Sequence, residues 1–597
     1  MATTKISELN PLASGSTCAA AVLPIVNDGV TDKISIDNLR GTLRGASNTV
    51  SGQETSTIGG GVENTISSDS SCSTIGGGEC NSILAESYPS TIGGGVGNTI
   101  SSYSYYSTIG GGRCNSILTE SCYSTISGGY CNCITNSSYC ATIGGGSCNR
   151  ITGSSDYSTI GGGVENSILS DSCYSTIGGG CENSILSDSC YSTISGGYGN
   201  LITDSSYKST ISGGYCNCIC TDSCYSTIGG GCENSISDSS ECSTIGGGFL
   251  NTMTGSSYYS TISGGYCNTM TDSAYSSTIS GGGCNSICGG PGYSAIGGGS
   301  GNSIHENSWN STISGGGFNK ISGSSNHGTI GGGDANCILS ESCYSTIGGG
   351  KQNLIFNISH FSTISGGYQN KTYNSFCGFI GGGCGNDICK TEMTSILNGK
   401  GGRIVNSSTC TGVDSCCNVY NTILGGCGNE IKLANATPGV VDHCHMSHNT
   451  ISNGYGNTIE WGSQGSEDYC GGMNTISNGY GNTIEGYHDD MGMNTILNGE
   501  DNNIYGCNGI TKFTSILNGC SNSVVDSNFS SIINGINNCL THNCSTIAGT
   551  NITSRATSSL HVNNILLETG SIPTTDPGIP GMLFIAGGAL KVSGCIA

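Results

Sequence analysis

The sequence predicts an all-β parallel β-solenoid: a flattened two-sheet β-roll built from 17-residue coils. Three observations predict it. A triplet of S-T-I type followed by [GS]-G-G recurs with its isoleucine at 58, 75, 92, 109 and onward to 364, and every one of the 19 copies is 17 residues from the next. A strict period of this length is the signature of stacked repeats, in which each unit buries its apolar face only against its neighbours. Written out, the unit is S-T-I-[GS]-G-G-x-x-N-[ST]-I-x-x-x-S-x-[YC], so its two isoleucines are spaced alternately 8 and 9 apart. Composition is the third observation. The 597 residues include 102 Gly and only 8 Pro, 10% are charged, and the glycines follow no strict triplet. That excludes collagen and fits an ordinary mixed core poorly.

Each coil reads as two short strands joined by glycine-rich corners. S-T-I and N-[ST]-I lack a helical period, and their flanking glycines would weaken any helix across them. Side chains alternate faces along a strand. With Ile58 and Ile66 inward, and Ile75 and Ile83 in the next coil, Thr57 and Thr65 point out. Gly60 and Gly61 recur in all 19 copies and suit a corner that needs positive φ or close backbone approach. Asn64 and Asn81 begin a column of asparagines that runs to Asn370. Such a column can hydrogen-bond along the stack as a ladder. Three inward positions about six apart would give a triangular solenoid, whereas the rhythm of 8 and 9 gives two sheets and a thin core.

Beyond Ile364 the isoleucines continue at 380, 396, 423, 451, 476, 496, 516, 532 and 547, with steps of 15 to 28 residues. The strand pair is kept, and the extra length falls after the second strand, mainly at 405–422, 432–450 and 460–475, with smaller insertions at 485–495 and 505–515. Stacked coils would project these loops from one edge. The expected organisation is a non-repeat segment at 1–40, a regular shaft at 41–372, an irregular roll with inserted loops at 373–552 and a C-terminal module at 553–597. With one early coil at Leu43 this makes 29 coils, a stack of roughly 140 Å at the strand spacing of a sheet.

A net charge of −23, from 17 Lys+Arg against 40 Asp+Glu, leaves no basic stripe to displace counterions from phosphates, so nucleic acid is not an expected partner. No run of 18 apolar residues occurs and no membrane insertion is expected. The apolar stretch Cys18–Val26 follows Glu8, has no basic lead beyond Lys5 and is broken by Pro24, so it does not read as a secretion signal. The 37 cysteines mostly fill variable repeat positions, as Cys114, Cys131 and Cys148 do at one and Cys173, Cys190 and Cys224 at another. They are small semi-apolar stacking residues or thiols that form disulfides after release from a cell. Calcium-binding rolls place Asp at the turn. Here Asn occupies that place, so no metal or other cofactor is expected. A thin core instead favours three rolls packed about a common axis, a homotrimer.

Residues 1–40, with TKISELNPL leading to LPIVNDGVTDKIS, resemble the N-terminal virion-attachment segment of tailed-virus fibre proteins. The last segment, with IPTTDPGIPGMLFIAGGALKVS, resembles short C-terminal modules of phage structural proteins. The central repeats are similar to the β-roll heads of trimeric autotransporter adhesins and related phage fibres, although those heads have shorter coils. The resemblance implies a fibre on a virus particle, docked to other virion proteins by its N-terminal segment and touching a host-surface glycan or protein. A bacterial-type surface adhesin and a structural filament are alternatives, with an ice-binding solenoid or a polysaccharide depolymerase behind them.

Searching for chemistry gives little. His443, Cys444, His445 and His448 sit close together in an inserted loop and are metal-ligand types, but they lack zinc-finger spacing. Cys216, Cys218 and Cys220 alternate onto one strand face. Glu86, Glu120, Asp171, Asp188, Asp222 and Glu341 share a corner position, which solvated carboxylates explain more simply than paired catalytic acids. The outward Thr57 column offers one threonine per strand, where ice-binding solenoids present T-x-T. No nucleophile–base set emerges, and no enzymatic activity is expected. Trp461, Tyr469, Tyr487, His488, Asp489 and Asp490 are the expected receptor contacts, because aromatic residues on projecting loops bury area at low entropic cost.

Overall fold

A computed structural model describes residues 22–27, 30–35, 47–51, 55–406, 418–434, 445–462, 470–486, 491–506, 511–564, 573–575, 583–586 and 589–592. Among the described residues there is no helix, hence none long and apolar enough to cross a membrane. The chain divides into two compact units, Met1–Asn302 and Ser303–Ala597.

In the N-terminal unit the 17-residue period becomes two all-parallel sheets. One takes the first strand of every coil, from Thr57–Ile58 to Ala295–Ile296, and the other takes the second, from Thr49–Val50 to Ser286–Cys288. Each strand pairs in register with its equivalents, Ile58 against Ile75 in the first sheet and Ile66 against Ile83 in the second. Inward isoleucines are fully buried, as at Ile66, Ile75 and Ile83, while Thr57 is exposed. The two-sheet roll expected from the 8 and 9 spacing is therefore the fold. Ahead of it, Val22–Asn27 and Val30–Ser35 pair antiparallel with Asn27 opposite Val30, a hairpin spanning the LPIV and GVT-KIS segments.

The interior is as much polar as apolar. Asn166 shows the ladder at one rung: its Nδ2 donates to Asn149 Oδ1 at 3.1 Å, Gly162 O at 3.0 Å and Gly180 O at 3.0 Å. Its Oδ1 accepts from Asn183 N at 3.0 Å and Asn183 Nδ2 at 3.1 Å. Every lone pair and proton of a fully buried amide is used, so its desolvation is offset. A second ladder, of serine, runs beside it. Ser175 N donates to Ser158 Oγ at 3.1 Å, and Ser175 Oγ donates to Ser189 O at 3.2 Å and accepts from Ser192 N at 3.1 Å. The serines of the repeat are thus structural, a role the motif alone did not assign them.

The corners differ from expectation in two respects. Gly61 carries the demand foreseen for the pair: its φ is +88° and an added Cβ would fall against Gly78 O and 2.7 Å from Asn64 Nδ2. The column of Gly60 does not share it throughout, because a Cβ at Gly111 meets nothing within 4 Å. The corner between the strands is also hydrogen-bonded in its own right. Val62 bridges Glu79 in parallel, its N–H donating to Gly78 O at 2.9 Å, and the bridge repeats from coil to coil. Each coil therefore contributes a third, backbone-only ladder.

The C-terminal unit continues the same plan with looser spacing. Its first-strand sheet runs from Thr312–Ile313 to Leu560–Val562 and its second from Ser303–His305 to Cys539–Leu540. Leu560–Val562 pairs with Thr546–Ala548, so the roll extends by one strand into the segment assigned to the C-terminal module. Leu583–Ala586 and Ala589–Val592 form an antiparallel pair. Charges on the second sheet meet between neighbouring coils, as in Arg403 with Glu430 at 2.9 Å and Lys432 with Glu460 at 2.7 Å.

Asp387 lies between Lys371 and Arg403 in register, yet burial outweighs both cations and holds its carboxyl above the ordinary range. The folded state therefore binds this proton more tightly than the unfolded state. Its contribution to stability is fully present below the unfolded pKa and is lost as pH rises through the raised folded one. Asp387→Asn is expected to raise the thermal midpoint by about 1–2 °C at neutral pH and to give no gain near pH 3. Calorimetry at the two pH values checks it.

Candidate functional site

The strands that lead into the inserted segments of the C-terminal unit are equivalent second strands of successive coils. Where insertions follow, the second strand is longer: Arg403–Asn406, Glu430–Ala434, Thr458–Gly462, Thr483–Gly486 and Asn503–Gly506. The chain returns through a five-stranded parallel sheet of Asn418–Val419, His445–Ser447, Cys470–Gly472, Met491–Gly492 and Thr511–Lys512. Exit and return both in register means that successive insertions leave from the same side, as expected for loops added at one corner.

The expected contact residues fare differently. Tyr469, Tyr487, His488, Asp489 and Asp490 lie outside the described residues, as do His443 and Cys444, and His445 lies on the strand His445–Ser447. His448 is exposed at φ 58°, its ring 5.1 Å from that of Tyr420 and 22° from parallel. Trp461 requires a correction. It is not on a projecting loop but within the strand Thr458–Gly462, paired with Leu433 and Gly486 and only 3% exposed. The longer strand gives the coil a second inward position, and the indole fills it. Cys218 and Cys220 do alternate onto one face, with Cα atoms 6.0 Å apart and their sulfurs in contact. Among the described residues no group of three or more His, Cys, Asp or Glu is placed to hold a metal. The corner acids Glu86, Glu120, Asp171, Asp188, Asp222 and Glu341 all sit at positive φ, one to a coil.

A better-built surface lies elsewhere in this unit. From Ile396 onward the first corner changes from I-x-G-G to I-x-N-G in most coils, as at Ile476-Ser477-Asn478-Gly479 and Ile496-Leu497-Asn498-Gly499. Asn478, Asn498, Asn518 and Asn534 are exposed and line an open groove of about 890 Å³, together with Tyr455, Tyr480, Glu500 and Cys520. The groove is pinned from beneath by the buried ladder: Asn482 Nδ2 donates to Gly499 O and Asn502 Nδ2 to Gly519 O, both at 3.0 Å. Gly479 and Gly499, at φ 114° and 116°, leave the floor bare. Tyr455 and Tyr480 stack with centroids 5.2 Å apart and planes 3° from parallel, each about half exposed.

Chemically this is a row of amides, each with two donors and an acceptor, beside tyrosine edges and hydroxyls and one carboxylate. Such a set matches ligands rich in hydroxyl groups. The acidic Glu500 and the charge of the chain disfavour polyanions. The groove was missed from the sequence, although its signal is there: the replacement of the second corner glycine by asparagine.

The N-terminal unit carries exposed tyrosines at the last corner of many coils. Tyr157, Tyr174 and Tyr191 stack with centroids 4.9 Å apart and planes within 5° of parallel. Because their faces are turned to one another, these rings present edges and hydroxyls to solvent. They therefore stabilise the corner more than they offer a stacking platform. Elsewhere on this unit the Glu182 carboxylate accepts from the Tyr198 hydroxyl and pushes that phenol up to about 12. No protein-family model and no curated protein matches the chain.

Proposed function

We propose that the chain is the structural fibre of a virus particle, displayed on the virion surface, and that it attaches the particle to a host surface without catalysis. The observation that carries the attachment reading is the Asn–Tyr groove: exposed amides and half-exposed rings held over a rigid glycine floor. Its row of amides and tyrosine hydroxyls suits a neutral host glycan. The N-terminal KIS and LPIV segments, with their antiparallel hairpin, support docking to other virion proteins. Assembly as a homotrimer would present three copies of a weak site and convert modest affinity into avidity.

The test uses the purified full chain on a panel of immobilised neutral oligosaccharides. The double variant Tyr480→Ala with Asn498→Ala is expected to reduce binding at least tenfold, about 1.4 kcal/mol or more, with an unchanged melting profile because both side chains are exposed. Equal binding by variant and parent, or no binding to any glycan by the parent, would remove the groove from the account.

A further inference from the structure

We propose that Cys267 with Cys284, and Cys173 with Cys190, are modification sites that close coil-to-coil disulfides when the chain meets a low-molecular-weight disulfide oxidant, stapling adjacent coils of the N-terminal unit. Cys267 and Cys284 occupy the same position in successive coils, directly after the bridged pair Tyr266 and Gly283. Both sit at positive φ, 55° and 53°, and Cys284 N donates to Tyr266 O at 2.8 Å, so their side chains leave the corner in the same direction.

Two coils where glycine holds this position reveal that direction. Cys114 Sγ lies 3.7 Å from where a Cβ on Gly97 would stand, and Cys216 Sγ lies 3.1 Å from the corresponding point on Gly199. A thiol here is therefore aimed at the β-carbon of the preceding coil. When that residue is also cysteine each Sγ is directed at its neighbour's side chain, as Cys284 is at Cys267. Equivalent Cα atoms of in-register coils stand about 4.8 Å apart, within the span a disulfide bridges.

Cys173 and Cys190 repeat the arrangement at a second corner. Cys173 N donates to Cys190 Sγ at 3.1 Å, while the Cys173 and Cys190 thiols donate to Ser154 O at 3.0 Å and Asp171 O at 2.9 Å, so closure turns both sulfurs from those carbonyls toward each other. The fold itself does not impose cysteine at either corner: the first also holds Glu63, Gly97 and Leu250, and the second Tyr105 and Asp156. Cys114, Cys131 and Cys148 offer the first geometry in three successive coils, which leaves one thiol unpaired.

The reaction balances with glutathione disulfide as oxidant. One cysteine thiolate attacks a glutathione sulfur, releasing one glutathione thiolate and leaving a mixed disulfide. The neighbouring cysteine then displaces the second glutathione. Two protein thiols are oxidised, one small disulfide is reduced, and the two protons end on two glutathione molecules. Burial pushes the Cys267 and Cys173 thiols up, so the exchange is run near pH 8.5, where thiolate is populated.

The full chain, purified under reductant, is transferred to glutathione disulfide, alkylated, digested without reduction and mapped by mass spectrometry. The expected result is peptides linked through Cys267–Cys284 and Cys173–Cys190, with alkylation of all four cysteines falling at least fivefold. Cys284→Ser should abolish the first link and leave the second. Gly199→Cys should gain a link to Cys216 that the parent lacks, which keeps the geometry testable independently. Unchanged alkylation of all four cysteines in a chain that keeps its β-sheet circular dichroism would overturn the proposal. So would links joining mainly separate chains.

Discussion

Replacing Asn166 by alanine is expected to destabilise its coil by about 3–5 kcal/mol, although the change removes only a few atoms. The side chain donates to Asn149 Oδ1, Gly162 O and Gly180 O and accepts twice from Asn183. Alanine removes the side-chain donor to Gly162 O and leaves the buried Asn183 N–H without its acceptor, in a column of asparagines shielded from water. Asn166→Asp should be worse at neutral pH. The amide donor becomes an oxygen facing three acceptors, and acidification restores one donor and part of the loss. Because solenoid coils contact only their neighbours, the damage should stay local. Hydrogen exchange on the full chain should show faster exchange at Ser167, Ser184 and their neighbours, with distant coils unchanged. Equal protection in parent and variant would show that the ladder contributes nothing.

Gly163→Ala should cost on the order of 3 kcal/mol or more, well above an ordinary surface substitution. The residue has φ +92°, and an added Cβ would fall against Gly180 O and within 2.6 Å of Asn166 Nδ2. The substitution therefore imposes backbone strain and also displaces the amide that supports the ladder. Gly162→Ala is the control, since a Cβ there meets nothing within 4 Å. Thermal unfolding of the two variants should separate them by several degrees, and coincident profiles would contradict the close-approach argument.

Much of this architecture is legible in the sequence because the same physical demand recurs in every coil. Two buried positions, nearly always isoleucine but Met253 and Met270 in two coils, one asparagine and one close-approach glycine recur from coil to coil, so the period exposes them. The ladder through Val62 stayed hidden because it uses only backbone groups. Val62, Glu79, Val96 and Arg113 share nothing but a bridge. The serine columns were visible but unread, since serine suits corners and ladders alike. Trp461 was misplaced because the strand pair of the regular coils stops at its isoleucine, whereas Thr458–Gly462 runs on and turns the indole inward. The groove lay in a one-residue change of corner, Gly to Asn, that only the stacking of Asn478, Asn498 and Asn518 converts into a surface.

On the proposed reading of the chain as a virion fibre, particle adsorption with and without Tyr480→Ala and Asn498→Ala tests the attachment account most directly. The account predicts that the variant chain is incorporated at parental level while the adsorption rate constant falls at least tenfold. Parental adsorption by particles carrying the variant chain would contradict it.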